Sequence, residues 1–261
     1  MTSAAADWPA PAPGAAPLPA MISAQAGLDL RILVRNGEQL VLTLIIPVLL
    51  LIAFSAEPLV SFGPGRRIDF LAPGILALAV LSTAFTSQAI ATGFERRYGV
   101  LKRLGATPLS RRGLIAAKTV TVTVVELAQA VVIIAVALGL GWHPRAGGGA
   151  VPAAILLVLA GTAAFSGLAL LMAGTLRAEA TLAAANLIYL VLLGTGGMVF
   201  PLTKFPAGAQ SALKLLPSGA LSDGLRSVLQ HGSGLPAADL LVLLAWAAAG
   251  ITLAIGLFRW E

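Results

Sequence analysis

The stretch VPAAILLVLAGTAAFSGLALLMAGTL, residues 151–176, decides the fold class, because its twenty-six residues include no charged side chain. An α-helix crosses the roughly 30 Å hydrocarbon core of a bilayer with about 20 apolar residues. Over the whole chain 58% of residues are hydrophobic, only 11% are charged, and the mean hydropathy is +0.93. Soluble domains average about 25% charged residues. The sequence therefore predicts an all-α integral membrane protein.

Apolar blocks of similar length recur on both sides of this stretch. They predict six transmembrane helices, at residues 40–54, 70–93, 114–141, 151–176, 181–200 and 237–258. Ahead of them, residues 22–39 have an amphipathic pattern, which predicts an interfacial helix lying in the headgroup layer. Residues 1–21 are rich in Ala and Pro and contain no Lys or Arg, so we expect a disordered cytoplasmic tail. Residues 22–261 then form one membrane domain.

The distribution of Lys and Arg predicts the orientation. With the N-terminus inside, eleven basic residues fall on the inner segments and six on the outer ones, out of 17 in the chain. Basic residues accumulate on the cytoplasmic side of membrane proteins. We therefore expect a multi-pass protein of a bacterial inner membrane with both termini in the cytoplasm. The net charge of +6 is explained by these loops, so nucleic acid is not expected as a partner.

The most informative loop is FERRYGVLKRLGATPL, residues 94–109, between the second and third predicted spans. It predicts a short amphipathic helix with Val100, Leu101 and Leu104 on its apolar side, capped at Gly105 and stopped by Pro108. Its cations could equally hold it against anionic lipid headgroups, each contributing about 1 kcal/mol. Composition alone leaves both readings open.

The order of residues in this loop resembles the first cytoplasmic loop of the ABC-2 type permease family, with its Glu-Arg-Arg-x-Gly-x-Leu-x-x-Leu-x-x-Thr-Pro pattern. The segment 35–39 before the first span is also similar to that family. So are the pairs Phe200-Pro201, Phe205-Pro206, Leu216-Pro217 and Leu225-Arg226. The resemblance covers roughly residues 25–260.

This resemblance implies a coupling helix that docks on a separate ATPase subunit, and short re-entrant helices within 201–236. The residues it assigns to the coupling loop are Glu95, Arg96, Arg97, Tyr98, Gly99, Leu101, Arg103, Leu104, Thr107 and Pro108. Glu95, Arg96, Arg97 and Arg103 would make polar contacts, with Tyr98 and Leu101 as an apolar anchor. The implied partners are the ATPase, membrane lipid, and a second copy of this permease or a related one.

The sequence has no nucleotide site of its own. The nearest approach to a phosphate-binding loop, residues 113–119, has Ala117 in place of the second glycine and is one residue short. ATP and Mg²⁺ are therefore expected in the partner, with no cofactor bound by this chain. Cysteine is absent and the two histidines are isolated, so no metal site and no catalytic residue are predicted.

Glu126 lies near the middle of the third predicted span, where an unpaired carboxylate costs a few kcal/mol. It is a candidate for the substrate path. Alternatively it is a structural group that hydrogen-bonds a neighbouring helix with help from Gln129. Asn186 and Gln88 are weaker candidates, which more often join helices than bind ligands.

These patterns favour the permease subunit of an ATP-driven exporter of drugs, lipids or other hydrophobic or amphipathic molecules. An ion-driven transporter is the nearest alternative, although it would usually show repeated halves with broken helices. A membrane-embedded enzyme would need convergent catalytic groups at one depth. A sensor or assembly factor would be favoured by a dedicated soluble domain.

Overall fold

The computed structural model describes residues 14–56, 66–145, 147 and 149–258, and within these ranges the chain is helical with no β-strand. A π-helical segment, Leu81–Ser87, joins α3 to α4 without a break. The α-helices are α1 (Leu18–Arg35), α2 (Gly37–Ala56), α3 (Arg67–Val80), α4 (Gln88–Arg97), α5 (Val100–Gly105), α6 (Arg111–Gly139), α7 (Ala150–Thr175), α8 (Ala178–Thr195), α9 (Ala207–Lys214), α10 (Pro217–Leu229) and α11 (Ala237–Leu257).

Five helices in the described part of the chain are long and apolar enough to cross a bilayer: the continuous helix Arg67–Arg97, α6, α7, α8 and α11. They correspond to the second through sixth predicted spans, whose helical character is confirmed. The described apolar part of α2, Thr43–Ala56, is shorter than a full crossing. The first span therefore stays a prediction.

The fifth span ends earlier than predicted, at Thr195 instead of residue 200. Gly197 has φ +69°, a left-handed conformation that glycine adopts without strain. At Gly196, a Cβ would lie 2.4 Å from the Leu192 carbonyl oxygen and 2.6 Å from the Ser218 side chain. The glycine pair thus turns the chain away from the helix axis and lets α10 pack closely.

Helix α3 lies at the centre of the protein. Every residue from 70 to 80 is buried, and α2, α6, α7 and α10 all pack against the helix. A helix that is apolar on all sides requires such enclosure. The outward face of α6, by contrast, exposes Val120, Val124, Leu127 and Val131 at helical spacing. Such a continuous exposed apolar stripe is stable against hydrocarbon or another protein, not against water.

The N-terminal helix starts and ends four residues before its predicted bounds. It begins at Leu18, just after Pro17 at the N-cap, and ends at Arg35, where Asn36 forms the C-cap. Residues 18–21 are therefore helical, although they were assigned to the tail. Residues 1–13 lie outside the described residues, as do Arg259 and Trp260 at the C-terminus.

Two short α-helices, α9 and α10, occupy the Pro- and Gly-rich segment between α8 and α11, as the family resemblance implied. Helix α10 is almost wholly buried, whereas α9 has no fully buried residue. Pro217 starts α10 at a position where its missing N–H costs no helical hydrogen bond. Their re-entrant depth in the membrane stays a prediction.

Candidate functional site

The loop between the second and third predicted spans consists of two helical pieces that meet at Gly99. Helix α4 runs to Arg97, the Tyr98 N–H donates to the Phe94 carbonyl, and α5 begins at Val100. Gly99 has φ +73°, a left-handed conformation that ends one helix and begins the next. The predicted amphipathic helix is thus shorter than expected. Gly105 is its last helical residue, and Ala106 provides the cap.

Of the three residues predicted on the apolar side of α5, Leu101 and Leu104 pack inside this chain, whereas Val100 is exposed. Leu101 is fully buried in a cluster with Leu109, Leu114 and Phe258, and Leu104 packs against the same cluster. The Thr107 hydroxyl donates to the Leu104 carbonyl at 2.6 Å and accepts from the Leu109 N–H at 3.3 Å. The turn at Pro108 is therefore held in place at both ends.

Arg96 and Arg97 connect the loop to the turn between α7 and α8. Arg96 donates to the carbonyls of Ala173 at 3.0 Å and Leu176 at 2.7 Å, at the end of α7. Helix C-termini leave such carbonyls without helical partners and carry a partial negative charge. Arg97 pairs with Glu179 in the first turn of α8. The two arginines thus link α4 to both neighbouring spans.

Glu95 is connected to α6 through Lys118, one of the eleven basic residues that the sequence places on the inner segments. The Lys118 ammonium lies 2.6 Å from a Glu95 carboxylate oxygen and 3.3 Å from Asp29 in α1. Lys118 falls four residues after Leu114 and four before Val122, all on the buried face of α6. That spacing is visible in the sequence and places Lys118 on an apolar helix face. A lysine in such a position is almost always paired with a carboxylate, so the ion pair could have been predicted.

The outer surface of the loop exposes Arg97, Tyr98, Val100, Lys102, Arg103, Thr107 and Pro108. Tyr98 is 70% exposed, and its ring stacks on Phe94 with centroids 6.1 Å apart. The loop therefore presents aromatic, aliphatic and cationic groups to solvent, while Glu95, Arg96 and Leu101 hold it to the rest of the chain.

A comparison with protein-family models shows to which family the chain belongs. The family model described as ABC-2 family transporter protein matches residues 67–258, nearly three quarters of the chain. The chain belongs to the ABC-2 transporter family. It is a multi-pass membrane protein and a membrane subunit of an ABC transporter. No curated protein matches the chain.

In this ABC-2 chain, Glu126 joins two spans. Its carboxylate accepts a hydrogen bond from the Thr162 hydroxyl of α7, and Glu126 is only 3% exposed. The expected help from Gln129 is absent, because that amide donates to the Thr43 carbonyl and accepts from Thr83, both at 2.9 Å. Asn186 bonds the Leu182 carbonyl of its own helix instead of joining two helices.

Proposed function

We propose that this chain is the permease subunit of an exporter driven by a separate ATPase subunit, moving a hydrophobic or amphipathic molecule out of the cell. The observation that supports it is the loop around Gly99. Its outer face is exposed, while ion pairs and hydrogen bonds from Glu95, Arg96 and Arg97 connect it to α6, α7 and α8. A displacement of the loop would be transmitted to three spans at once.

The proposal divides the loop residues into two groups. Tyr98, Val100 and Arg103 contact the ATPase, because their side chains face outward. Glu95, Arg96 and Leu101 transmit the movement, because they bond or pack inside the chain. Arg97 belongs to both groups, since it is exposed and also pairs with Glu179 of α8. ATP and Mg²⁺ bind to the partner. A second copy of this permease, or a related one, completes the transporter.

For Glu126 we propose a structural role in place of the substrate path. It lines neither of the two cavities beside α6, and Thr162 partners it within the protein. The exposed apolar faces of the spans are compatible with a cargo that enters from the lipid, such as a drug or a lipid.

The test is affinity capture of the tagged chain from detergent-solubilised native membranes. Tyr98→Ala combined with Arg103→Ala removes an aromatic contact and a charge from the docking surface, where such residues dominate binding energy. We expect at least about tenfold less ATPase subunit to co-purify, with the thermal unfolding of the chain unchanged. Arg145→Ala, an exposed arginine on the opposite side, is the matched control and should retain full capture.

Leu101→Ala shows how a variant behaves when it lowers ATPase capture by destabilising the fold and not by removing a docking contact. It empties a fully buried position and should destabilise the chain by about 2–5 kcal/mol, so reduced capture would accompany reduced stability. Recovery of a folded, abundant chain with no ATPase would contradict the proposal and favour the ion-driven transporter.

A further inference from the structure

A partly enclosed crevice of about 150 Å³ lies behind the loop, between α1, the π-helical segment, α4 and α6. A cavity of about that size in an engineered protein accommodates benzene. Leu33, Val122 and Val125 form apolar parts of its wall. The crevice is therefore large enough for one small ring or a short alkyl chain.

The charged groups of the crevice carry a net negative charge. Asp29 and Glu95 contribute two carboxylates, and Lys118 contributes one ammonium, which leaves −1 among the described lining residues. The Lys118 side chain is only 8% exposed, so these charges interact with little screening by water. One lysine cannot neutralise both carboxylates, and a second cation would be attracted.

Several buried polar atoms of the crevice lack a partner. Gln88 is 5% exposed, and neither its amide oxygen nor its amide nitrogen has a hydrogen-bond partner within the described structure. The same holds for the hydroxyl of the fully buried Thr92 and for one carboxylate oxygen of Glu95. Buried polar groups are nearly always paired, and each unpaired one costs about 1–3 kcal/mol. Three of these four atoms, the Gln88 amide oxygen, the Thr92 hydroxyl and the Glu95 carboxylate oxygen, can accept hydrogen bonds, so they point to a ligand that carries hydrogen-bond donors.

The polar and charged groups of the crevice follow the axis of α4. Gln88, Thr92 and Glu95 follow one another on α4, and the seven residue steps from Gln88 to Glu95 span about 10 Å at 1.5 Å per residue. Thr83 and Ser87, from the π-helical segment, line the inner part of the crevice. π-Helical turns occur frequently at functional sites. The charges thus lie near the loop, and polar and apolar groups continue inward from them.

We propose that this crevice binds the ammonium group of a small cationic amphiphile. Glu95 and Asp29 supply the counter-charge, while the Gln88 carbonyl and the Thr92 hydroxyl accept hydrogen bonds from the ammonium. The ligand's apolar body contacts Leu33, Val122 and Val125. A primary ammonium of this kind occurs on free amines and on the ethanolamine headgroup of lipids. The site belongs to this chain alone, and only the ligand's role as cargo rests on the proposed function.

The test measures binding of 2-phenylethylamine to the purified full chain in nanodiscs made with phosphatidylcholine, a lipid whose headgroup has no primary ammonium. 2-Phenylethanol has the same ring and chain without the charge, and we expect it to bind at least about tenfold more weakly. Glu95→Gln keeps the shape of the side chain but removes its charge, and should weaken amine binding about tenfold. Asp223→Asn in α10 is the control for loss of a carboxylate elsewhere, and should leave amine binding unchanged.

Gln88→Leu provides a second variant if Glu95→Gln does not fold. It should lower the affinity for the amine more than the affinity for the alcohol, because the charged ammonium makes the stronger hydrogen bond to the Gln88 carbonyl. Phosphatidylethanolamine in the nanodisc distinguishes the sources: competition with the amine identifies the lipid headgroup as the ligand, and no competition identifies a free amine. Equal affinities for amine and alcohol, or folded variants that bind the amine like the parent, would overturn the proposal. The binding experiment does not involve the ATPase. A negative result would therefore contradict the amine site without contradicting the proposed permease function, which the capture experiment tests separately.

Discussion

At the scale of a single residue, Arg226 shows how one side chain holds the segment between α8 and α11. It is 6% exposed, and its guanidinium donates to the carbonyls of Gly197, Met198 and Phe70, the latter two at 3.1 and 3.4 Å. It also lies 3.8 Å from the Phe70 ring centroid. Burial lowers the pKa of Arg226 to about 10, so the group stays charged at neutral pH. One cation thus joins α10 to α3 and to the glycine turn.

Replacing Arg226 with methionine should destabilise the protein by about 3 kcal/mol, because three buried carbonyls lose a charged donor. Thermal unfolding of the detergent-purified chain, followed by tryptophan fluorescence, measures this. Arg226→Lys should recover only part of the loss, since an ammonium lacks the planar fork of the guanidinium. The exposed Arg145→Met is the control, and an equal midpoint for both methionine variants would refute this role.

At the scale of elements, the pairing of α7 with α11 depends on two glycines. A Cβ at Gly167 would lie 2.8 Å from the Ile251 backbone nitrogen, and one at Gly250 would lie 3.0 Å from the Leu168 nitrogen. The neighbouring atoms belong to helical backbone and cannot rotate away. Membrane helices lack a strong hydrophobic drive to associate, so such close backbone contact supplies much of their attraction.

Gly167→Ala should therefore separate the two helices and destabilise the chain by about 1–3 kcal/mol, although alanine is the better helix former. Gly256→Ala in α11 is the matched control, because no atom lies within 4 Å of its added Cβ. It should be neutral or stabilising by up to about 1 kcal/mol. Unfolding midpoints of the two variants decide the question, and a neutral Gly167→Ala would show that the helices can move apart at no cost.

At the scale of the whole molecule, the topology depends on α2, which we expect to cross the membrane. The distribution of Lys and Arg predicts both termini in the cytoplasm, which requires an even number of spans, while the described apolar part of α2 is short. The sequence contains no cysteine, so single cysteines report topology without background labelling. Ser23, Arg66 and Arg103 are exposed and lie on successive segments around α2 and the Arg67–Arg97 helix.

In intact cells, a membrane-impermeant maleimide should label Arg66→Cys. Ser23→Cys and Arg103→Cys should react only after the membrane is permeabilised. This pattern would place α1 and the loop around Gly99 in the cytoplasm, with α2 crossing between Ser23 and Arg66. Labelling of Ser23→Cys together with Arg66→Cys would instead show that α2 stays on one side of the membrane.

Much of the fold was predictable from the sequence because hydropathy and charge are local properties. Twenty apolar residues in a row require a hydrocarbon solvent wherever their neighbours lie, so the spans from α6 to α11 were found with small errors at their ends. The loop motif identified the family for the same reason: all of its residues lie in one short segment of the sequence. The glycine turn after α8 was missed, since a run of small residues does not show which positions adopt positive φ.

Only the tertiary structure decided which groups meet. Whether Lys118 is a loop cation or the buried partner of Glu95 and Asp29 depends on the contact between α1, α4 and α6, and residues far apart in sequence make that contact. The same is true of Glu126 with Thr162, of Leu101 turned inward, and of the crevice with its unpaired Gln88. Sequence alone thus determined the protein family, the membrane helices and their approximate lengths. Packing, which brings distant residues within a few ångströms, determined the bonds that hold the loop and form the crevice behind it.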